Sequence, residues 1–163
     1  MNASRLAAGV LAVPPRLHEE LDEAIERLSQ RLMRNGGNPH QNGHSSATVS
    51  PDTARLQESL RFLGQVASGW HELPDGVLPD AGAGYGSTVV VEDVDRGGVE
   101  SLTLMTGALV DIDRGQVSLA SPIGRALLGT APGVVVTVDT PQRQRRLRVI
   151  SVCTLRDRIR QEA

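Results

Sequence analysis

The 163-residue chain contains no lysine; all seventeen of its basic residues are arginine. That absence excludes Schiff-base and pyridoxal chemistry and the phosphate-cradling P-loop, each of which needs a lysine ammonium. Aromatic residues are almost as scarce, with Phe62, Trp70 and Tyr85 alone. Three cannot furnish the stacking platform on which single-stranded nucleic-acid binders lay bases, nor line an aromatic pocket. The single cysteine, Cys153, permits no internal disulfide and fits a reducing cytoplasm; it reads as a strand-end core residue. No run approaches the roughly 20 apolar residues of a membrane span. The apolar Leu6–Val13 stretch is short and meets Pro14-Pro15 without a small-residue cleavage pattern, so no signal peptide is expected.

Apolar residues make up 39% of the chain, enough to bury a core in one ordinary domain or two small ones. The formal charge of −2 gives no general basic excess for coating nucleic acid. Its distribution is uneven. Residues 41–140 set five arginines against twelve acids, whereas residues 141–163 set seven against two.

Leu17, Leu21, Ile25, Leu28 and Leu32 recur at steps of four, four, three and four, which predicts an amphipathic helix from Leu17 to Arg34. The following RNGGNPHQNGHSSATVS segment has no apolar period and reads as a loop. Ser50-Pro51-Asp52 then supplies a cap, a proline for the first helical position and an early acid. A second seam, Leu56, Leu60, Leu63, Ala67 and Trp70, has the heptad spacing of a helix that packs against one partner. Two such helices most simply form an antiparallel hairpin. The expected organisation is an N-terminal extension (1–15), a hairpin (16–73, loop 35–50), a linker (74–84), a β-rich domain (85–153) and a basic tail (154–163). Within the β-rich part, strands are expected at 89–94, 100–106, 117–120, 134–139 and 146–152, with a short helix capped by Ser121-Pro122 and ended by Gly129. The fold class is therefore α+β, as two separate units.

Three clusters invite chemistry. His40 and His44 stand four apart, but Pro39, Asn42 and Gly43 break any helix that would aim both at one metal, so a solvated loop is expected. Glu92, Asp93 and Asp95 lie in a strand and its turn, where alternation sends neighbours to opposite faces; they read as a solvated edge. Arg143, Arg145, Arg146 and Arg148, followed by Arg156, Arg158 and Arg160, read as a solubilising edge strand and tail, with steering toward an acidic protein surface or toward nucleic acid as the alternative. No cofactor or metal is implied.

Four separated segments, GSTVVVED (Gly86–Asp93), SLASPIGRALLG (Ser118–Gly129), VVVTVDTP (Val134–Pro141) and RLRVISV (Arg146–Val152), occur in one order. Together they resemble the C-terminal domain of the Gre-type (GreA/GreB) transcription elongation factors. The resemblance implies an FKBP-like domain preceded by a coiled-coil hairpin. It also implies docking of that domain on the rim of the secondary channel of bacterial RNA polymerase, with the hairpin reaching toward the active centre. Nucleic acid would be met only within the transcription complex, in the cytoplasm. Ser121, Pro122, Ile123 and Arg125 become the expected polymerase contacts. Asn38, His40, His44 and Asp52 mark the hairpin-loop end.

Family members that stimulate transcript cleavage carry an acidic tip that helps hold a second magnesium ion. Here no carboxylate occurs from Arg27 to Pro51, and Asp52, the nearest, suits the start of a helix. The expected activity is therefore polymerase binding without cleavage chemistry, and the chain is not expected to be an enzyme. Two alternatives share the fold. A nucleoside diphosphate kinase regulator-like protein would have a shorter N-terminal part. A peptidyl-prolyl isomerase would need an aromatic-lined pocket, and this half of the chain offers only Tyr85.

Overall fold

A computed structural model describes residues 15–36, 50–69, 82–106 and 110–162. Helix α1 (Pro15–Gly36) and helix α2 (Pro51–Gly69) pack against each other as the expected hairpin. Helix α1 extends two residues past the expected range at each end, about 33 Å at 1.5 Å per residue. Its buried stripe is Leu17, Leu21, Ala24 and Leu28, with Ile25 and Leu32 partly covered. The Ser50 hydroxyl accepts from the Thr53 N–H at 3.2 Å, so α2 starts on the expected cap.

Helix α2 departs from a one-partner seam. Phe62 and Val66 are buried beside Leu56 and Leu63, while Leu60 and Ala67 are only partly covered. The reason is a second partner. Tyr85, fully buried, donates its hydroxyl to the Val66 carbonyl at 2.8 Å, and Gln65 exchanges amide hydrogen bonds with Gln116 at 2.9 and 3.0 Å. A helix gripped on two sides needs a wider apolar face than a heptad seam supplies. Trp70 lies outside the described residues.

The C-terminal half is a five-stranded mixed sheet in the order β3-β2-β1-β5-β4. Its strands are β1 (Thr88–Asp93), β2 (Val99–Met105), β3 (Gln116–Ser118), β4 (Val135–Asp139) and β5 (Gln144–Cys153). Only β2 and β3 run parallel. Gly97, at φ +77°, turns β1 back into β2. Val89 and Val91 of β1, Leu102 and Leu104 of β2, and Leu147 and Val149 of β5 are buried. Helix α3 (Pro122–Leu127) lies against β3 and β4, and its Leu127 is fully buried.

The last segment, expected as a basic tail, contains helix α4 (Leu155–Glu162). Thr154 and Asp157 bond reciprocally, the Asp157 N–H to the Thr154 hydroxyl at 3.2 Å and the Thr154 N–H to the Asp157 carboxylate at 3.1 Å, a capping box with aspartate in the glutamate position. Leu155 and Ile159 are buried, and α4 packs on α1. Arg158 sits 4.0 Å above the Phe62 ring and donates to the Thr88 hydroxyl, while Ser59 donates to Glu162 at 2.8 Å. One apolar cluster consequently runs from Leu17 to Ile159, through both halves. The expected order of hairpin and sheet holds, and α4 and Tyr85 pack the two parts against each other.

Candidate functional site

The start of α3 is a compact knot. The Ser121 hydroxyl donates to the Ser118 carbonyl at 2.6 Å and accepts from the Gly124 N–H at 3.1 Å, so its one donor hydrogen is spent on tying α3 to the end of β3 and a lone pair on capping the helix. Gly124 explains a glycine inside so short a helix. A Cβ there would run into the Ser118 carbonyl oxygen and come within 2.9 Å of the Leu119 Cα. The helix can approach β3 this closely only without a side chain. Of the expected contact residues, the structure brings together all four: Pro122 and Arg125 are exposed, Ile123 is partly buried against the core, and Ser121 holds the backbone in place. Arg125 forms no ion pair among the described residues, which leaves its guanidinium open to a partner.

The basic and acidic clusters turn out to be one feature. Strand β5 lies between β1 and β4, not at an edge, and β1 is the central strand. Their registers set arginines beside acids. Arg146 pairs with Asp95, Arg148 with Glu92 at 2.9 Å, and Arg145 bridges Asp93 at 3.1 Å and Glu100. The readings of a solvated acidic edge and a free basic strand are both corrected: each set neutralises the other. Asp93 is buried, with 4% of its surface exposed. Burial alone would push its carboxyl up, but the Arg145 guanidinium and the N–H groups of Arg96 and Asp95 outweigh that and hold it below its ordinary value. Asp95 is likewise lowered, by Arg146.

At the hairpin end, Asp52 is exposed in the first turn of α2. Asn38, His40 and His44 lie outside the described residues. Cys153 is at the end of β5 and only partly buried; burial and the nearby Asp157 push its thiol up, away from a reactive thiolate.

The family model "Transcription elongation factor, GreA/GreB, C-term" matches residues 79–154, which span the sheet, α3 and its Ser118–Ser121–Gly124 knot. The C-terminal domain belongs to the GreA/GreB family. Among individual relatives of this Gre-type domain, transcription elongation factor GreA of Syntrophobacter fumaroxidans is 40% identical over 68 residues, covering 42% of this chain and 44% of that protein. Against that relative the chain spans less than half of the relative's length. GreA of Streptococcus gordonii is 28% identical over 156 residues, covering 87% of this chain and 92% of that protein, so the likeness extends into the hairpin at lower identity. Among solved structures, GreA factor homolog 1 of Thermus thermophilus is 24% identical with a TM-score of 0.40, over 84% of this chain and 92% of that one.

Sequence reasoning missed α4 and the Tyr85 contact. The Thr154-x-x-Asp157 box followed by Leu155 and Ile159 at helical spacing was the available signal for α4. No local signal announces Tyr85, because its partner lies nineteen residues earlier across a linker.

Proposed function

We propose that the chain is a Gre-type regulator of transcription elongation that binds bacterial RNA polymerase at the rim of the secondary channel and occupies the channel without stimulating transcript cleavage. The observation that carries the reading is the coincidence of the family match with the α3 knot, from which Pro122 and Arg125 project into solvent. Ser121 and Gly124 act as positioning residues, since the Ser121 hydroxyl hydrogen is committed to the Ser118 carbonyl and Gly124 has no side chain. The chain would be a binding protein, not a catalyst, working in the cytoplasm on a polymerase already engaged with nucleic acid.

The absence of cleavage stimulation follows from ligand chemistry. Magnesium demands oxygen ligands, with carboxylates offsetting its charge. From Arg27 to Pro51 the chain offers none; Arg31 and Arg34 lie within that stretch and Arg55 just beyond it. A cationic end cannot recruit a divalent cation to a reacting phosphate. The protein would then act by occupancy, competing with other factors that enter the channel.

Two measurements test the proposal. Co-purification with core polymerase should be retained by the wild type and lost in Pro122→Ala/Ile123→Asp; Arg125→Glu, at an exposed site, should weaken it without changing the melting temperature. Unchanged binding in all of these variants overturns the docking assignment. Addition of the protein to backtracked elongation complexes should leave transcript length unchanged on a gel, and shortened transcripts at the rate of an active Gre factor would refute the occupancy reading.

A further inference from the structure

Strand β4 ends the sheet on one side, and no strand lies beside its outer edge among the described residues. Thr140 and Arg143, just past β4 and just before β5, exchange backbone hydrogen bonds at 3.0 and 3.1 Å. In an antiparallel ladder the exchanging pairs recur at every second residue, so Val138 exchanges with Arg145 and Val136 with Leu147. The backbone N–H and C=O groups of Val135, Thr137 and Asp139 therefore point away from β5. No loop or turn among the described residues hydrogen-bonds to them.

Native sheets protect their edges with short strands, proline, charge or a covering element. The opposite edge of this sheet is protected: β3 has three residues, and the Gln116 side chain at its start is tied to Gln65 of α2. Strand β4 has no such device. It reads VVTVD, four β-branched residues without proline or arginine, and its one charge stands at the last position. Helix α3 packs on β4, and Val136 and Val138 join the core, whereas Val135, Thr137 and Asp139 are exposed.

This edge is complementary to a second copy of itself. A two-fold axis through Thr137 sets Thr137 opposite its own counterpart and Val135 opposite Asp139 of the second copy, so that all three outward-facing residues of each strand exchange backbone bonds. Moving the axis by one residue puts Asp139 against Gly133, whose N–H is bonded to Val149, or Val135 against Pro141, which has no N–H. The side chains fit the same register. Thr137 meets Thr137, a favourable cross-strand pair. The one charge on the edge, Asp139, meets Val135, and the neighbouring Arg146 and Arg148 of β5 are already paired with Asp95 and Glu92. Val135, 49% exposed in the single chain, is covered by the second strand. We infer that two copies of this chain pair β4 with β4, antiparallel about Thr137, into one continuous sheet. The seam uses none of the α3 contact residues, and it is tested on the protein alone, apart from polymerase docking.

Sedimentation velocity of the full chain across a hundredfold range of concentration tests it. Monomer should pass to dimer and no further, because a two-fold contact closes on itself. Thr137→Lys, at an exposed position, sets like charges directly opposite each other across the axis and should weaken dimerisation at least tenfold. Circular dichroism at the lowest concentration confirms that the variant folds. A second readout does not depend on that variant. In a Cys153→Ser background, a short bis-maleimide should join Thr137→Cys into a covalent dimer. It should leave Ser101→Cys monomeric, since that position is exposed on β2, separated from the seam by β1 and β5. A monomer at every concentration, species larger than a dimer, wild-type dimerisation in Thr137→Lys, or cross-linking at Ser101 as efficient as at Thr137 would each overturn the assignment.

Discussion

Tyr85 offers the sharpest test of how the two halves hold together. Its ring is fully buried, and its hydroxyl donates at 2.8 Å to the carbonyl of Val66 in the last turns of α2. Tyr85→Phe keeps the ring and deletes the donor, which costs about 1–2 kcal/mol for a buried carbonyl left short of its partner. For a chain of this size that is a fall in melting temperature of about 2–8 °C. Gly69→Ala attacks the same contact from the other side, because a Cβ at position 69 would collide with the Tyr85 hydroxyl; overpacking of this kind costs about 1–3 kcal/mol. The combination should be milder than its parts. Without the hydroxyl the new methyl meets the Cζ carbon of the ring at 3.2 Å and the Thr106 methyl at 3.4 Å, contacts that small shifts absorb. Urea unfolding followed by far-ultraviolet circular dichroism and by fluorescence should give one shared transition for each variant. The double variant should be at least about 1 kcal/mol more stable than the sum of the single losses predicts. Additivity within about 0.5 kcal/mol, or separate helix and sheet transitions, would refute the claim that Tyr85 joins them.

Other consequences can be measured on the same footing. Gly124→Ala should destabilise the protein by about 1–3 kcal/mol and weaken polymerase co-purification, because α3 must back away from the Ser118 carbonyl; wild-type melting would refute the close approach. Ser121→Ala should cost about 1 kcal/mol through the lost cap and loosen docking only through the displaced helix, so that Ser121→Asn, another good cap, restores much of both. Asp93, Asp95, Asp111 and Asp157 are all held below their ordinary values by hydrogen-bonded or paired partners. Their stabilising effect is complete above the unfolded-state carboxyl value near pH 4 and is lost as pH falls through the lower folded values. Stability should therefore be flat near neutrality and drop on acidification below about pH 4, with a shallower drop in Asp93→Asn; an identical acid limb in that variant would exclude Asp93 as a contributor.

What the sequence disclosed, and what it withheld, follows from the range of each interaction. Helix starts at Ser50 and Ser121 were legible because caps act over three residues, and the Gly97 turn because positive φ is a local demand. The residues proposed for docking around α3 stood out because SPIGRALLG is contiguous. Strand order was not. Nothing local says that β5 inserts between β1 and β4, so its arginines and the acids of β1 read as two exposed clusters when register makes them partners. Phe62 and Val66 escaped the heptad reading for a similar reason: a seam extracted at steps of three and four finds one partner face, and α2 has two.

That pairing changes how the near-neutral total charge should be understood. Exposed ion pairs contribute little stability, and Arg146–Asp95 and Arg148–Glu92 are of that kind, yet they remove both signs from the same stretch of sheet. With β5 neutralised, arginines without an ion pair among the described residues are found elsewhere, among them Arg125 on α3 and Arg31, Arg34 and Arg55 toward the loop end of the hairpin. Fields from exposed charges decay over about 10 Å at moderate salt, so these two places act separately, each on whatever lies directly against it. A positive hairpin end facing an acid-free loop cannot do the work of a magnesium-holding acidic tip. The proposed loss of cleavage stimulation rests on that stretch without carboxylates, from Arg27 to Pro51.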